Sequence, residues 1–167
     1  PFILKKNLLK IPQNGSINIH PSYLPYFKGK DPNFWAILKN GPYGVSIHEV
    51  NSNIDSGKIL FRKKINKIDS SIDGKNLYKI NSIEIVKLFK KKYIILRKKS
   101  RGLKLINKKT KIYKRKDMVK ESKIYLNKTY KAEYLINLLR AKNFPTNRGV
   151  IFKKKGNTYS INIKITK

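Results

Sequence analysis

Pro21, Pro25 and Gly29 crowd into the eleven residues from Pro21 to Asp31. Proline fixes φ and has no backbone N–H, so no helix runs through this stretch. It reads as a rigid, ordered loop whose neighbours must supply the regular structure. Just before it, Ser16-Ile17-Asn18-Ile19-His20 alternates small or polar with apolar residues, the period of a short strand. Just after it, Asp31-Pro32 reads as an N-cap followed by proline at the first helical position. The helix expected over 33–39 puts Phe34, Ile37 and Leu38 on one side, and Asn40-Gly41-Pro42 stops it. Strand, fixed loop and helix in this order point to the α/β class.

The rest of the chain extends that pattern. Residues 3–11 read as a short helix or connection, ended by the turn chemistry of Pro12-Gln13-Asn14-Gly15. Strands are expected over 44–50 and 58–65, with a polar loop at 51–57 between them. Ser70-Ser71-Ile72-Asp73 opens a long helix to about Lys99, with Leu77, Ile80, Ile85, Leu88 and Phe89 at helical spacing and a buried apolar run at Tyr93 to Leu96. Residues 98–116 are basic and irregular and read as a surface excursion. An amphipathic helix is expected over 128–141, then a hairpin of 150–152 with 159–165. The expected organisation is a main part over 1–100, a basic connecting segment over 101–127, and a closing helix and hairpin over 128–167. No repeat is present.

Composition bounds the function. With 167 residues the chain forms one domain of ordinary size, and 40% hydrophobic residues exclude a disordered chain. No apolar run is long enough to span a membrane. The absence of cysteine excludes disulfides, a thiolate nucleophile and a cysteine zinc site, and fits a reducing, cytoplasmic location; no metal site is expected. Forty Lys+Arg against nine Asp+Glu give +31. Thirty-four of the basic residues are Lys and six are Arg, and Ile, Asn and Tyr are inflated too, the signature of A/T-rich codons. A nucleic-acid reader would favour Arg, so composition is the main source of the charge, though the field still attracts phosphorylated ligands. The first residue is Pro1, and no long apolar leader follows it, so a fragment of a longer protein is expected.

Three segments in order carry the chemistry: Asn18-Ile19-His20-Pro21-Ser22-Tyr23-Leu24-Pro25, then Gly29-Lys30-Asp31-Pro32-Asn33-Phe34-Trp35, then Gly44-Val45-Ser46-Ile47-His48 leading to Ile54-Asp55-Ser56-Gly57. Their order and spacing resemble the folate-dependent formyltransferases, which include methionyl-tRNA formyltransferase and the amino-sugar N-formyltransferases. The likeness is dense over 15–60 and returns at Leu138-Leu139-Arg140-Ala141 and Phe144-Pro145. Tyr23 departs from the family's usual Leu, and Thr146-Asn147-Arg148-Gly149 replaces a common proline-rich turn. The resemblance implies the C-terminal part of a Rossmann-like catalytic domain followed by a helix and a small β-hairpin. It places the catalytic groups on Asn18, His20 and Asp55, and substrate or cofactor loop positions on Ser22, Leu24, Pro25, Gly29, His48 and Gly57.

These residue types suit formyl transfer on chemical grounds. An amide such as Asn18 can hold the developing oxyanion, worth about 3–4 kcal/mol of barrier. His20 can take the proton of the attacking amine, an effect of roughly 10²–10⁴. Asp55 can orient the imidazole and favour its cation. Asn18 and His20 are two apart and share one strand face. Ser22 lacks the turn context of a nucleophile, Trp35 reads as core, and His48 serves either the site or a core hydrogen bond.

The resemblance implies transfer from 10-formyltetrahydrofolate to a primary amine. The expected acceptor is a nucleotide-linked amino sugar, because no C-terminal tRNA-holding barrel follows. Methionyl-tRNA is the alternative acceptor, and a non-catalytic basic nucleic-acid-binding module is a third reading. A missing first βαβ part would leave an apolar sheet edge, so self-association into a homo-oligomer is expected, without membrane contact.

Overall fold

Alternation at Ile17–His20 does produce a strand, β1, once a partner takes up its backbone groups. The computed structural model describes residues 4–66, 68–98, 110–144 and 149–166. A four-residue helix, α1 (Lys6–Leu9), precedes β1. The proline loop follows, including a two-residue strand β2 (Lys28–Gly29), and then helix α2 (Pro32–Leu38). Proline occupies the start of α2 as expected, but Asp31 does not cap it. Its backbone is left-handed (φ 56°), and its carboxylate turns away to Arg115 at 2.8 Å.

Strands β3 (Gly44–Glu49) and β4 (Ile59–Lys64) complete a three-stranded antiparallel sheet of order β1-β3-β4. Ile17 stands opposite Glu49, Asn18 opposite His48 and His20 opposite Ser46. Residues 44–48 of β3 are buried on both faces. One face, Val45 and Ile47, packs with Leu60 under Ile85 and Leu88 of the long helix α3 (Gly74–Arg97). The other face presents Ser46 to the loop after β1 and His48 to Asn18 and Asp55, so the period of two separates core from polar chemistry. At the edge, β1 leaves Ile17 and Ile19 about half exposed.

Helix α3 begins where Asp73 accepts the Asn76 N–H at 2.8 Å, an N-cap bond. Its C-terminal turns differ from the expectation: Tyr93, Ile94 and Ile95 are exposed, because of that run only Leu96 falls on the stripe that packs against the sheet core. In the basic segment, residues 99–109 lie outside the described residues. In the rest of it, β5 (Ile112–Tyr113) pairs in parallel with β2, and α4 (Arg115–Glu121) and β6 (Lys123–Ile124) follow. The closing helix α5 runs Ala132–Lys142, four residues later than its expected start, with 128–131 a turn and connection. Strands β7 (Val150–Lys154) and β8 (Asn157–Ile161) form the hairpin across Lys155-Gly156, and β6 joins it in parallel. β8 stops at Ile161 because β7 offers no partner beyond Val150.

A second core sits where α2, α3 and α5 meet, around Phe34, Trp35, Ile37, Leu77 and Leu138. Trp35 is buried as expected and stacks on Tyr113 at 4.1 Å, which ties the basic segment to α2. Among the described residues no helix is long and apolar enough to cross a membrane.

Leu77 is fully buried where α3 meets α2 and α5. Leu77→Ala is expected to cost about 2–5 kcal/mol, read as a lower midpoint in urea unfolding.

Candidate functional site

Asn18 and His20 leave the same face of β1, and the antiparallel register sets His48 beside Asn18. Asn18 Nδ2 lies 3.1 Å from His48 Nε2, and His48 Nδ1 lies 2.7 Å from the Glu49 carbonyl. A carbonyl only accepts, so His48 Nδ1 carries the hydrogen. Nε2 faces both the Asn18 amide and the Asp55 carboxylate, accepting from the amide when the ring is neutral and donating to the carboxylate when it is protonated. One amide hydrogen of Asn18 remains for another acceptor.

Asp55 arrives from the loop between β3 and β4 through two close approaches. A Cβ on Gly57 would lie 1.8 Å from the Glu49 carbonyl oxygen, so only glycine lets that loop fold back onto β3. Gly29 (φ 91°) sits against Tyr113, where a Cβ would lie 2.2 Å from a carbonyl oxygen, and its N–H donates to Asp55 Oδ2 at 2.7 Å. Asp55 itself has φ 45°, a left-handed conformation that Asp tolerates better than most residues. Its Oδ2 is 3.6 Å from His20 Nδ1 and its Oδ1 is 3.5 Å from His48 Nε2. The two imidazoles meet edge to face with centroids 6.2 Å apart. Asn18, His20, His48 and Asp55 therefore converge.

Electrostatics follow from burial. Desolvation lowers the His20 pKa below its ordinary 6.5, assisted by His48 and opposed by Asp55 and the Phe27 carbonyl. Burial alone would raise Asp55, but hydrogen bonding to His48, attraction to His20 and the Gly29 N–H outweigh it, and the carboxyl sits below its ordinary value. His20 faces an acceptor at each nitrogen, Asp55 at Nδ1 and Phe27 O at Nε2 (3.4 Å). A neutral ring satisfies only one of them, so an added proton meets a ready partner.

These side chains line a cavity of about 1050 Å³. Ile17, Ile19, Val50 and Ile54 add apolar residues to its wall, and Lys30, Asp31, Asn33 and Arg115 add polar and charged ones. Among the described residues no group of three or more side chains could hold a metal ion.

The other sequence-singled positions shape the walls. Gly29 lines the cavity and Gly57 folds its loop, whereas Ser22, Leu24 and Pro25 hold the proline loop. Ser22 Oγ donates to the Tyr26 carbonyl at 2.9 Å, Leu24 is fully buried, and the Pro25 carbonyl accepts from Thr110 Oγ1 at 2.8 Å. Two contributors escaped the sequence reading. Ser46 donates to Ser22 O (2.8 Å) and accepts the Leu24 N–H (3.0 Å), clamping the loop to β3. Asn81 is buried on α3 in register with Leu77, Ile85 and Leu88. A polar residue inside an apolar stripe was the available signal for it.

A buried imidazole and carboxylate thus stand beside an amide in the wall of one cavity. Residues 2–89 match the family model described as formyl transferase, and residues 117–167 match the N-formyltransferase dimerization C-terminal domain. The chain belongs to the formyl transferase family, as its three motifs implied. It is 45% identical over 78 residues to the methionyl-tRNA formyltransferase of Wolbachia pipientis subsp. Culex pipiens, covering 46% of this chain and 26% of that protein. Its fold superposes on a 4-N formyltransferase from Francisella tularensis with a TM-score of 0.83, at 27% identity, over 90% of this chain and 62% of that one. It also matches an N-formyltransferase from Helicobacter canadensis, solved with folinic acid and dTDP-3-aminofucose (TM-score 0.64, 25% identity, 77% of this chain and 47% of that one). The chain thus spans less than two thirds of each of these proteins.

The depressed pKa of His20 has a consequence for stability. The unfolded ring takes up its proton near 6.5, before the folded one does, so the stabilising difference exists above pH 6.5 and is lost as pH falls below it. Urea midpoints are expected to drop between pH 7.5 and 5.5, and His20→Gln is expected to remove part of that drop.

Proposed function

We propose that this protein transfers a formyl group from 10-formyltetrahydrofolate to the primary amine of a nucleotide-linked amino sugar. The convergence of Asn18, His20 and Asp55 on one cavity carries this reading. The free Asn18 amide hydrogen suits a carbonyl oxygen. The apolar border of Ile17, Ile19, Val50 and Ile54 suits the flat body of a folate, and about 1050 Å³ exceeds the usual size of a pocket for one ligand, roughly 300–1,000 Å³. When bound, the folate supplies an activated one-carbon acyl group. The chain's own residues do the rest.

Asn18 donates to the oxygen that gains negative charge as the amine adds. His20, held neutral at pH 7 by burial, accepts the amine proton. Asp55 orients that ring and stabilises the imidazolium once formed, and the Gly29 N–H fixes the carboxylate. His48 holds the Asn18 amide in place. In this reading residues 1–100 carry the transfer site, 101–127 connect, and 128–167 close it.

The match of residues 117–167 to an N-formyltransferase C-terminal domain, and the amino-sugar complex of the Helicobacter canadensis relative, support the sugar acceptor over others. The same C-terminal match supports a homodimer. Lys30 and Arg115 in the cavity wall supply positive charge for a pyrophosphate. The 45% identity to a methionyl-tRNA formyltransferase favours a second reading, with initiator tRNA as acceptor.

In the intact protein, His20→Ala is expected to lower kcat about 10²–10⁴-fold and Asn18→Ala about 10²–10³-fold, followed as tetrahydrofolate release with dTDP-3-aminofucose. Rates within tenfold of wild type for both variants would remove the assignment. Formylation of methionyl-tRNA in preference to the sugar would select the second reading.

A further inference from the structure

The buried Asn81 amide has a hydrogen-bond logic that reaches the cavity. Its Nδ2 donates to the Pro21 carbonyl at 3.2 Å and to Asn33 Oδ1 at 2.7 Å. The carbonyl of Pro21 can only accept, so the group facing it must be the Asn81 NH2. That NH2 has two hydrogens, and both are now committed. The Asn33 atom facing it must therefore be the oxygen, which excludes the flipped Asn33 amide. The Asn33 NH2 is left over. Among the described residues it has no hydrogen-bond partner, and it is not among the buried atoms that lack one. Asn33 lines the cavity, as do Lys30, Arg115, Asn18 and His20.

Stability alone does not explain Asn81. Its Oδ1 is buried and has no partner among the described residues, on a stripe otherwise made of Leu77, Ile85 and Leu88. An unsatisfied buried acceptor is a cost that an aliphatic side chain would avoid. What Asn81 accomplishes is geometric: one nitrogen joins the residue after His20 to the Asn33 amide.

We propose that Asn33 recognises a neutral oxygen, a hydroxyl or carbonyl, of the amine substrate through its NH2 group, and that Asn81 is the positioning residue that aims it. This rests on the formyl-transfer reading for the identity of the substrate. Lys30 and Arg115, which line the same cavity, take the anionic part of the molecule, and Asn33 takes an uncharged part. An aspartate at 33 would keep an oxygen toward Asn81 but turn a second oxygen, rather than a donor, toward the ligand.

The test compares wild type, Asn33→Ala, Asn33→Asp, Asn81→Ala and the Asn33→Ala/Asn81→Ala double variant in the intact protein. KM is measured separately for dTDP-3-aminofucose and for 10-formyltetrahydrofolate. Each alanine variant is expected to raise KM for the amine about tenfold, and Asn33→Asp more. KM for the folate should stay within twofold and kcat within threefold. The double variant should be no worse than Asn33→Ala, because Asn81 acts only through Asn33. An unchanged amine KM, equal rises for both substrates, or multiplying effects in the double variant would overturn the proposal. Calorimetric titration with dTDP-3-aminofucose reads the same contact without turnover. Binding weakened about tenfold by Asn33→Ala supports the assignment, and equal binding or none overturns it. Failure of the transfer reading looks different: wild type would form no formylated product, or His20→Ala would remain fully active.

Discussion

A carboxylate held between two imidazoles, with a backbone N–H on one of its oxygens, organises this protein's site. Asp55 is mostly buried, and a charge there is tolerable only because Gly29, His20 and His48 surround it. Each partner depends on a different part of the fold. Gly29 belongs to the proline loop and is pressed against β5, His20 ends β1, and His48 lies in β3. The carboxylate reaches them because Gly57 lets its loop lie against the Glu49 carbonyl. Loss of any one of these close approaches would release the acid and with it the orientation of the base.

Local pattern revealed part of this. The two-residue spacing of Asn18 and His20 placed them on one face, and the proline loop, α2 and the hairpin were readable from Pro, Gly and apolar period. The Asp55 assignment came from motif order, since nothing local distinguishes it from a solvated loop acid. Contacts between distant residues stayed hidden. The β2–β5 pairing joins residues more than eighty positions apart, and Arg115 reaches back to Asp31. Asp31 looked like a helix cap because Asp-Pro usually is one, and here a tertiary ion pair overrides the local preference. The Tyr93–Leu96 run looked buried because it is apolar, but a helix turns only one of its faces to the sheet, and of this run only Leu96 lies on that face.

Charge plays a smaller part in the fold than its size suggests. Glu84 pairs with Lys63 and Lys87 at the surface, where such pairs contribute little. Nine acids cannot neutralise forty bases, so a positive field surrounds the cavity. That field speeds the approach of anionic substrates and weakens with salt, whichever anion the reaction uses. It adds nothing to the orientation of Asn18, His20 and Asp55, which hydrogen bonds and close backbone packing determine.

Titration of the His20 ring by NMR, in wild type and in Asp55→Asn, tests most directly whether that carboxylate governs the base. Burial lowers the pKa of His20 and Asp55 raises it. Both proteins are expected to titrate below 6.5, with Asp55→Asn at the lower pH. An unchanged or higher His20 pKa in Asp55→Asn would show that the two groups do not interact, and the account of the site would fail.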